Sequence, residues 1–148
     1  MKILLKNATI INEKSSFHNQ KLDLLLENGI LARIDSKIEI EVDKVIELKD
    51  LHVSTGWFDP NVSFGEPGYE ERETIENGLR TSSKSGFTDI ILNPNTNPVI
   101  DSHSSVSHIY KKTNKSATKV HVLGSLTKQS LGIEMAELYD MHIAGAIA

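Results

Sequence analysis

The sequence contains no cysteine, which excludes disulfide bonds and thiolate metal sites. No segment approaches the ~18 consecutive apolar residues of a membrane-spanning helix, and the apolar run in residues 1–6 is too short for a signal peptide. The net charge is −4, with both signs spread along the chain, which argues against a basic nucleic-acid surface or a membrane-binding stripe. We therefore expect a cytoplasmic protein that binds neither nucleic acid nor membrane.

The first part of the chain has the pattern of short β-strands. Three stretches rich in β-branched and other apolar residues predict strands: residues 3–11, 21–34 and 38–48. Within the second stretch, Asn28-Gly29 is typical of a tight hairpin turn. We predict that residues 1–50 form a small β-module.

From residue 51 onward, strands alternate with helices. Strands are predicted at residues 51–58, 87–92 and 119–123, with the start of a fourth at 146–148. Helices are predicted at residues 70–85, from Asp101 or Ser102, and from Ser130, where Leu131, Met135 and Leu138 share a face; Gly86 and Gly145 end two of them. We predict that residues 51–148 contain three βα units and a strand stub.

Such an arrangement is not a closed architecture. An open parallel sheet of four strands would leave long unpaired edges and one uncovered face. We therefore expect the chain to be part of a longer protein. A self-sufficient open α/β fold is the alternative.

Residues 59–68 read Asp-Pro-Asn-Val-Ser-Phe-Gly-Glu-Pro-Gly and follow the first strand of this second part. The segment resembles the metal-binding signature of the dihydroorotase branch of the amidohydrolase superfamily, Asp-Pro-His-Val-His-Phe-Arg-Glu-Pro-Gly. Asn61 and Ser63 stand where that family has two metal-ligating histidines, and Gly65 stands where it has a substrate-binding arginine. The departures fall on the three positions that carry the chemistry.

These replacements remove the usual ligands for zinc. Zinc in hydrolytic sites is held by imidazole, carboxylate or thiolate groups, whereas a carboxamide oxygen and a neutral hydroxyl are weak donors. Without a bound metal, water keeps its ordinary pKa and supplies no hydroxide at neutral pH. Gly65 has no guanidinium to hold a substrate carboxylate. We therefore predict no catalytic residue, no metal ligand and no cofactor in this chain, although the family uses zinc.

A second segment carries the resemblance further. Residues 93–98 read Asn-Pro-Asn-Thr-Asn-Pro and are similar to the family's Met-Pro-Asn-Thr-Asn-Pro. The resemblance implies that Asn95 binds the substrate carboxylate, here as a vestige because the partner arginine is missing. The structural alternative is that Asn95 satisfies backbone groups in a turn between prolines.

The resemblance implies a fold and two alternative functions. The fold would be α/β, a small N-terminal β-module plus the first βα units of a TIM-type (β/α)₈ barrel, which needs ~250 residues to close. One function is a non-catalytic dihydroorotase-like protein of pyrimidine biosynthesis, structural or regulatory, whose partner would be aspartate transcarbamoylase or a second copy of itself. The other is an active metal-dependent cyclic amidohydrolase with a rearranged site, so whether the chain is an enzyme stays open.

Three further residues are candidates for the site. Asp59 is either an acid near the site or the cap of a turn before Pro60. Glu66 faces the barrel mouth or is simply solvated on its loop. His121 faces the barrel interior, and we expect a hydrogen-bonded structural histidine there.

Overall fold

The computed structural model describes residues 1–148, which form two compact units, Met1–Thr55 and Gly56–Ala148. The first is called the N-terminal unit below and the second the C-terminal unit. Each unit has its own buried apolar residues. The polypeptide passes from one to the other within the stretch predicted as a single strand at 51–58.

The N-terminal unit is a five-stranded sheet. Its strands are β1 (Lys2–Ile11), β2 (Lys21–Glu27), β3 (Ile30–Asp35), β4 (Lys44–Glu47) and β5 (His52–Ser54). The order is β3-β2-β1-β4, and β5 also pairs with β1. The β2–β3 hairpin turns at Asn28 and Gly29, whose φ angles of 50° and 83° are left-handed, as the Asn-Gly pair predicts.

Both faces of this sheet are packed. Leu25 contributes to one apolar cluster and Leu24 to another, because successive strand residues point to opposite faces. The strand predicted at 38–48 is shortened to β4, because Ile38 at its beginning is hydrogen-bonded to the side chain of Asp23. The buried Asp23 carboxylate accepts hydrogen bonds from the backbone N–H of Asn7 at 2.9 Å and of Ile38 at 3.0 Å. Ile38 is thereby held in the core outside any strand.

The C-terminal unit is a parallel sheet with helices in its connections. Its elements are β6 (Trp57–Val62), α1 (Ile75–Lys84), β7 (Phe87–Leu92), α2 (His103–Thr113), β8 (Lys119–Val122), a 3₁₀ turn (Lys128–Ser130) and α3 (Leu138–Ile143). The strand order is β6-β7-β8 with all pairs parallel. This is the βα alternation that the sequence predicts.

The core of the C-terminal unit lies between the sheet and its helices. Ile90 and Val122 project from the strands into a buried cluster with Leu79 of α1 and Val106 and Ile109 of α2. Each such side chain contributes about 1.5–3 kcal/mol when fully buried. The opposite face of the sheet carries the alternate residues, including Asp89, Ile91 and His121, which are only half-buried.

Helix α1 begins five residues later than predicted. Its N-cap is Thr74, whose Oγ1 accepts a hydrogen bond from Asn77 N at 3.2 Å. Residues 66–74 form turns instead, because Gly65 N donates to Glu73 O at 2.9 Å and draws this loop back on itself. The other end follows the prediction, since Gly86 has a φ of 89° just past the helix.

The prediction of a third helix starting at Ser130 was wrong. Instead of a helix from Ser130, the chain makes the 3₁₀ turn, in which Gln129 and Ser130 have positive φ angles of 52° and 58°. A right-handed helix cannot continue through these conformations. Leu131 and Met135, expected on a buried helical face, are exposed. Only the short α3 forms.

Two strand predictions also change. The predicted strand at 51–58 is two strands, since β5 pairs with β1 of the N-terminal unit and β6 begins the C-terminal sheet. The predicted stub at 146–148 is not a regular strand, yet Ile147 N donates to Val122 O at 3.0 Å and Gly124 N donates to Ala148 O at 2.8 Å. These two bonds place its backbone alongside the end of β8. Separately, no helix combines the length and the apolar character needed to cross a bilayer.

Candidate functional site

The candidate site lies at the carboxyl ends of β6 and β7. Val62 pairs with Leu92 at the end of the ladder, and the N–H of Asn93 donates to the Val62 carbonyl at 2.8 Å. Parallel strands end at the same edge of a sheet, so residues following them are brought together across it. In α/β folds this edge carries the ligand sites.

Four uncharged polar side chains form one hydrogen-bonded cluster there, which we call the amide cluster: Asn61, Ser63, Asn93 and Asn95. The Nδ2 of Asn93 donates to Asn61 Oδ1 at 2.6 Å and to Ser63 Oγ at 3.1 Å. The Nδ2 of Asn95 donates to the same Ser63 oxygen at 3.0 Å. The structure thus brings together the predicted positions Asn61, Ser63 and Asn95.

Asn93 is a member that the sequence reasoning missed. It occupies the place of the methionine in the family's Met-Pro-Asn-Thr-Asn-Pro motif, and only the later Asn95 was singled out. The signal was available, since Asn93 directly follows β7 and a residue at that position shares the edge with those following β6. Asn93 is the central member, because it alone bonds to both Asn61 and Ser63.

The amide cluster is neutral, and its internal hydrogen bonds leave some of its polar groups free. Ser63 Oγ accepts two hydrogen bonds, so its own proton is left to donate outward. Asn61 Nδ2 remains as a second donor, and the side-chain oxygens of Asn93 and Asn95 remain as acceptors. None of these groups titrates near neutral pH. The cluster can hydrogen-bond a polar group, but it contains no general base and no activated nucleophile.

The donor set does not fit zinc. Amide and hydroxyl oxygens are poor zinc ligands, and here Asn61 Oδ1 and Ser63 Oγ point at N–H donors of neighbouring asparagines. The chain also brings no three His, Cys, Asp or Glu side chains together in a way that could hold a metal ion. We derive no chemical step through a metal at this edge.

Gly65 occupies a place where no side chain fits. A Cβ built on Gly65 would lie 1.9 Å from Tyr69 O and 3.1 Å from Glu73 O. The close approach is held by hydrogen bonds from Gly65 N to Glu73 O at 2.9 Å and from Tyr69 N to Gly65 O at 2.7 Å. An arginine at this position would require a different path of the loop. The backbone path of this loop therefore requires a glycine at the position where the family motif has an arginine.

Glu66 is not a solvated loop residue, and that expectation was wrong. Its side chain is only 14% exposed. Its Oε2 accepts the N–H of Ile75, the first residue of α1, at 2.9 Å, and its Oε1 accepts from Lys112 Nζ on α2. Partial burial acts to raise the pKa of Glu66, but the hydrogen bonds from Lys112 and Ile75 outweigh it and hold this pKa below its ordinary value. Glu66 joins the site loop to both helices.

Asp59 makes a local turn contact. Its Oδ1 accepts the backbone N–H of Asn61 at 3.0 Å. This is the pattern of an aspartate that caps its own turn, which was the simpler of the two readings of Asp59. The bond fixes the backbone at the position from which the Asn61 side chain reaches Asn93.

His121 pairs with an aspartate on the face of the sheet away from the helices. Its Nε2 lies 2.9 Å from Oδ1 of Asp89 on the neighbouring strand. The hydrogen bond from the imidazole lowers the pKa of Asp89. The expected hydrogen-bonded His121 is observed, but its partner was not foreseen. The two residues lie 32 apart in sequence and meet only through the pairing of β7 with β8.

Sequence comparison relates the chain to a set of curated proteins along its entire length, although no family model matches it. It is 37% identical over 149 residues to a dihydroorotase of Elusimicrobium minutum and 35% identical over 149 residues to one of Ruminiclostridium cellulolyticum. Each alignment covers 100% of this chain but only 34% and 35% of the relative. The chain therefore spans about a third of the length of the curated relatives it matches.

Comparison with solved structures shows which known folds this chain shares. An L-hydantoinase (dihydropyrimidinase) from Arthrobacter aurescens superposes with a TM-score of 0.79 at 21% identity, covering 97% of this chain and 31% of the other. A dihydroorotase superposes with a TM-score of 0.66 at 14% identity, covering 97% and 38%. The mixed α/β fold thus matches part of amidohydrolase TIM-barrel proteins, over 31% and 38% of the length of these two.

Proposed function

We propose that this chain, which is homologous over its full length to dihydroorotases, is a dihydroorotase-like protein of pyrimidine biosynthesis that does not hydrolyse the cyclic amide and acts as a structural or regulatory homologue. The relatives bear the name dihydroorotase, and the superposed structures are amidohydrolases. The relevant residues, Asn61, Ser63 and Gly65, lie where the family resemblance implies a metal and a substrate arginine.

One observation carries the proposal: Asn61 and Ser63 converge on the side chain of Asn93. In the family motif the corresponding positions carry histidines. Here they close a hydrogen-bonded network of neutral groups, which offers neither zinc ligation nor a nucleophile. Gly65 supports the proposal independently, since its backbone excludes the arginine that the family resemblance implies for substrate binding. Loss of both functions in one loop favours a non-catalytic role.

A metal analysis combined with a hydrolysis assay tests the proposal. The full-length protein is purified and dialysed against zinc, its metal content is measured by mass spectrometry, and dihydroorotate turnover is followed in parallel with the Elusimicrobium minutum relative. We expect substoichiometric zinc and turnover at the level of the protein-free blank. Stoichiometric zinc with turnover that a chelator abolishes would establish the alternative, an active enzyme with a rearranged site.

The proposal includes a partner. We propose that the chain acts through assembly and binds aspartate transcarbamoylase or a second copy of itself. Size-exclusion chromatography with light scattering, with and without aspartate transcarbamoylase from the same source, tests this. We expect either a joint peak or a mass of at least two chains, and a monomer that elutes apart from the transcarbamoylase would refute this part of the proposal.

A further inference from the structure

An open groove of about 840 Å³ lies on the helical side of the C-terminal unit. One wall is helix α1, and the other is the end of α2 with the residues that follow it. The apolar residues of the lining are Ile75 and Leu79, which are buried, and Ala117, which is exposed. We call it the α1–α2 groove. It is formed by residues that the amide cluster does not include.

The groove is lined by more cations than carboxylates. Four cationic side chains line it, against the two carboxylates Glu66 and Glu76: Arg80, Lys84, Lys112 and Lys115. Lys112 is neutralised by its ion pair with Glu66. The other three cations are exposed and take part in no ion pair. The chain as a whole has a net charge of −4, so this groove has the opposite sign to the protein that carries it.

Helix dipoles explain only part of this charge. Lys84 lies in the last turn of α1 and Lys115 lies just beyond α2, where a cation is stabilised by the helix C-terminus. Arg80 lies in the interior of α1, one turn before Lys84. Cations four residues apart on a helix share a face and repel each other. An anion placed between the two walls would remove that repulsion.

We propose that the α1–α2 groove binds an acidic, partly apolar polypeptide segment of a partner protein. Arg80 and Lys84 stand on one wall and Lys115 on the other, so a bound segment can meet a cation along both of its edges. Apolar side chains of the segment would contact the exposed Ala117 and the aliphatic parts of the lysine side chains. Charge complementarity of this kind speeds association and selects the partner, while the apolar contact adds affinity.

A polypeptide fits the groove better than a small phosphate does. A phosphate site gathers several buried donors around one point, often backbone N–H groups. The Ser83 hydroxyl of this groove already donates its proton to Leu79 O at 2.8 Å, so that proton is not available to a phosphate. The cations that remain are long, exposed side chains on separate walls. They match carboxylates spread along a chain.

An NMR titration of the ¹⁵N-labelled protein tests the proposal. The probe is a synthetic twelve-residue peptide of repeated Glu-Glu-Leu, and the matched probe carries Gln in place of Glu. We expect shift changes concentrated at amides lining the groove, such as those of Ser83, Ser116 and Ala117, with a dissociation constant below about 1 mM. The Gln peptide is expected to cause none. Absence of binding at about 1 mM, or shifts spread over all cationic surfaces, would overturn the proposal.

Paired variants make the result specific. Arg80→Glu with Lys115→Glu reverses one charge on each wall, and Lys14→Glu with Lys111→Glu makes the same change in net charge outside the groove. We expect the first pair to weaken binding about tenfold and the second to leave it within about twofold. Equal loss in both pairs would mean nonspecific attraction. Inorganic tripolyphosphate that displaces the peptide and shifts the same amides at lower concentration would overturn the polypeptide in favour of a small anion.

Discussion

Asn61 and Asn93 face each other across the ends of two parallel strands, with Asn61 Oδ1 accepting a hydrogen bond from Asn93 Nδ2 at 2.6 Å. The same nitrogen reaches Ser63 Oγ at 3.1 Å. In the family motif that this segment resembles, the positions of Asn61 and Ser63, at the end of β6, carry metal ligands. Here both side chains accept hydrogen bonds from Asn93, the residue that follows β7. The amide cluster can therefore be tested through its contribution to the free energy of unfolding.

The first prediction concerns this coupling between strands. Asn93→Ala removes both hydrogen bonds and should lower the free energy of unfolding by about 1–2 kcal/mol, since Asn93 is half-buried. Asn61→Ala loses only one of them and should cost less. A double-mutant cycle measured by urea denaturation should give a coupling energy of about 0.5–1 kcal/mol between the two positions. Strict additivity would show that the Asn61–Asn93 contact contributes nothing to stability.

The second prediction concerns Gly65. Gly65→Ala places a Cβ 1.9 Å from Tyr69 O, so the loop must move, and we expect a loss of about 1–3 kcal/mol in unfolding free energy. Gly132→Ala is the matched control. Gly132 has a φ of 73° but no atom within 4 Å of its Cβ position, so that variant reports backbone strain alone. Thermal unfolding should rank Gly65→Ala as the less stable of the two. The reverse order would mean that the loop accepts a side chain.

The third prediction restores imidazoles to the strand end. Asn61→His with Ser63→His puts two zinc-preferring ligands where both native side chains already reach Asn93 Nδ2. Calorimetric titration should show zinc binding at least about tenfold tighter than in the unmodified protein. Asn61→Gln with Ser63→Thr alters the same positions without adding imidazole and should show no gain. Gly65 is left unchanged, because an arginine there would collide with the loop. If the histidine pair gains nothing, the two side chains do not share a site.

Local sequence signals predicted the elements that depend on local chemistry. The Asn28-Gly29 hairpin, the helix cap expected at Asp101 or Ser102 and found at Ser102, and the glycine after α1 each need only the conformational preference of one or two residues. The helix expected from Ser130 failed for a related reason. Its apolar residues have helical spacing, but the backbone is left-handed at Gln129 and Ser130. Apolar residues at helical spacing are not sufficient where the backbone breaks.

One part of the candidate site is likewise predictable from the sequence, and another part is not. Parallel strands necessarily bring their carboxyl ends together, so the meeting of Ser63 with Asn95 follows from predicting the strands. The contacts of Glu66 do not follow from any pattern. It reaches Ile75 nine residues away and Lys112 forty-six residues away, and both contacts depend on how the helices pack. Tertiary packing, which has no local sequence signal, determines that part of the site.

The last prediction uses Glu66 as a pH probe of the loop. The pKa of Glu66 in the folded protein is held below its ordinary value of 4.5 by the hydrogen bonds from Lys112 and Ile75, which outweigh the opposing effect of partial burial. A group with a depressed folded pKa stabilises the fold fully above its ordinary pKa. That contribution is lost as pH falls through the folded pKa. Glu66→Gln should therefore be less stable than the unmodified protein at neutral pH, by about 1–2 kcal/mol.

The difference should shrink as the solution is acidified below the ordinary pKa and should approach zero once Glu66 itself is protonated. Glu76→Gln, in the first turn of α1 but in no ion pair, is the matched control; it should cost less. Urea denaturation of all three proteins between neutral and acidic pH supplies the measurement. The loss of unfolding free energy in Glu66→Gln could instead stay constant over the whole pH range. That result would mean that shape and neutral hydrogen bonding, not the carboxylate charge, hold the loop against α1 and α2.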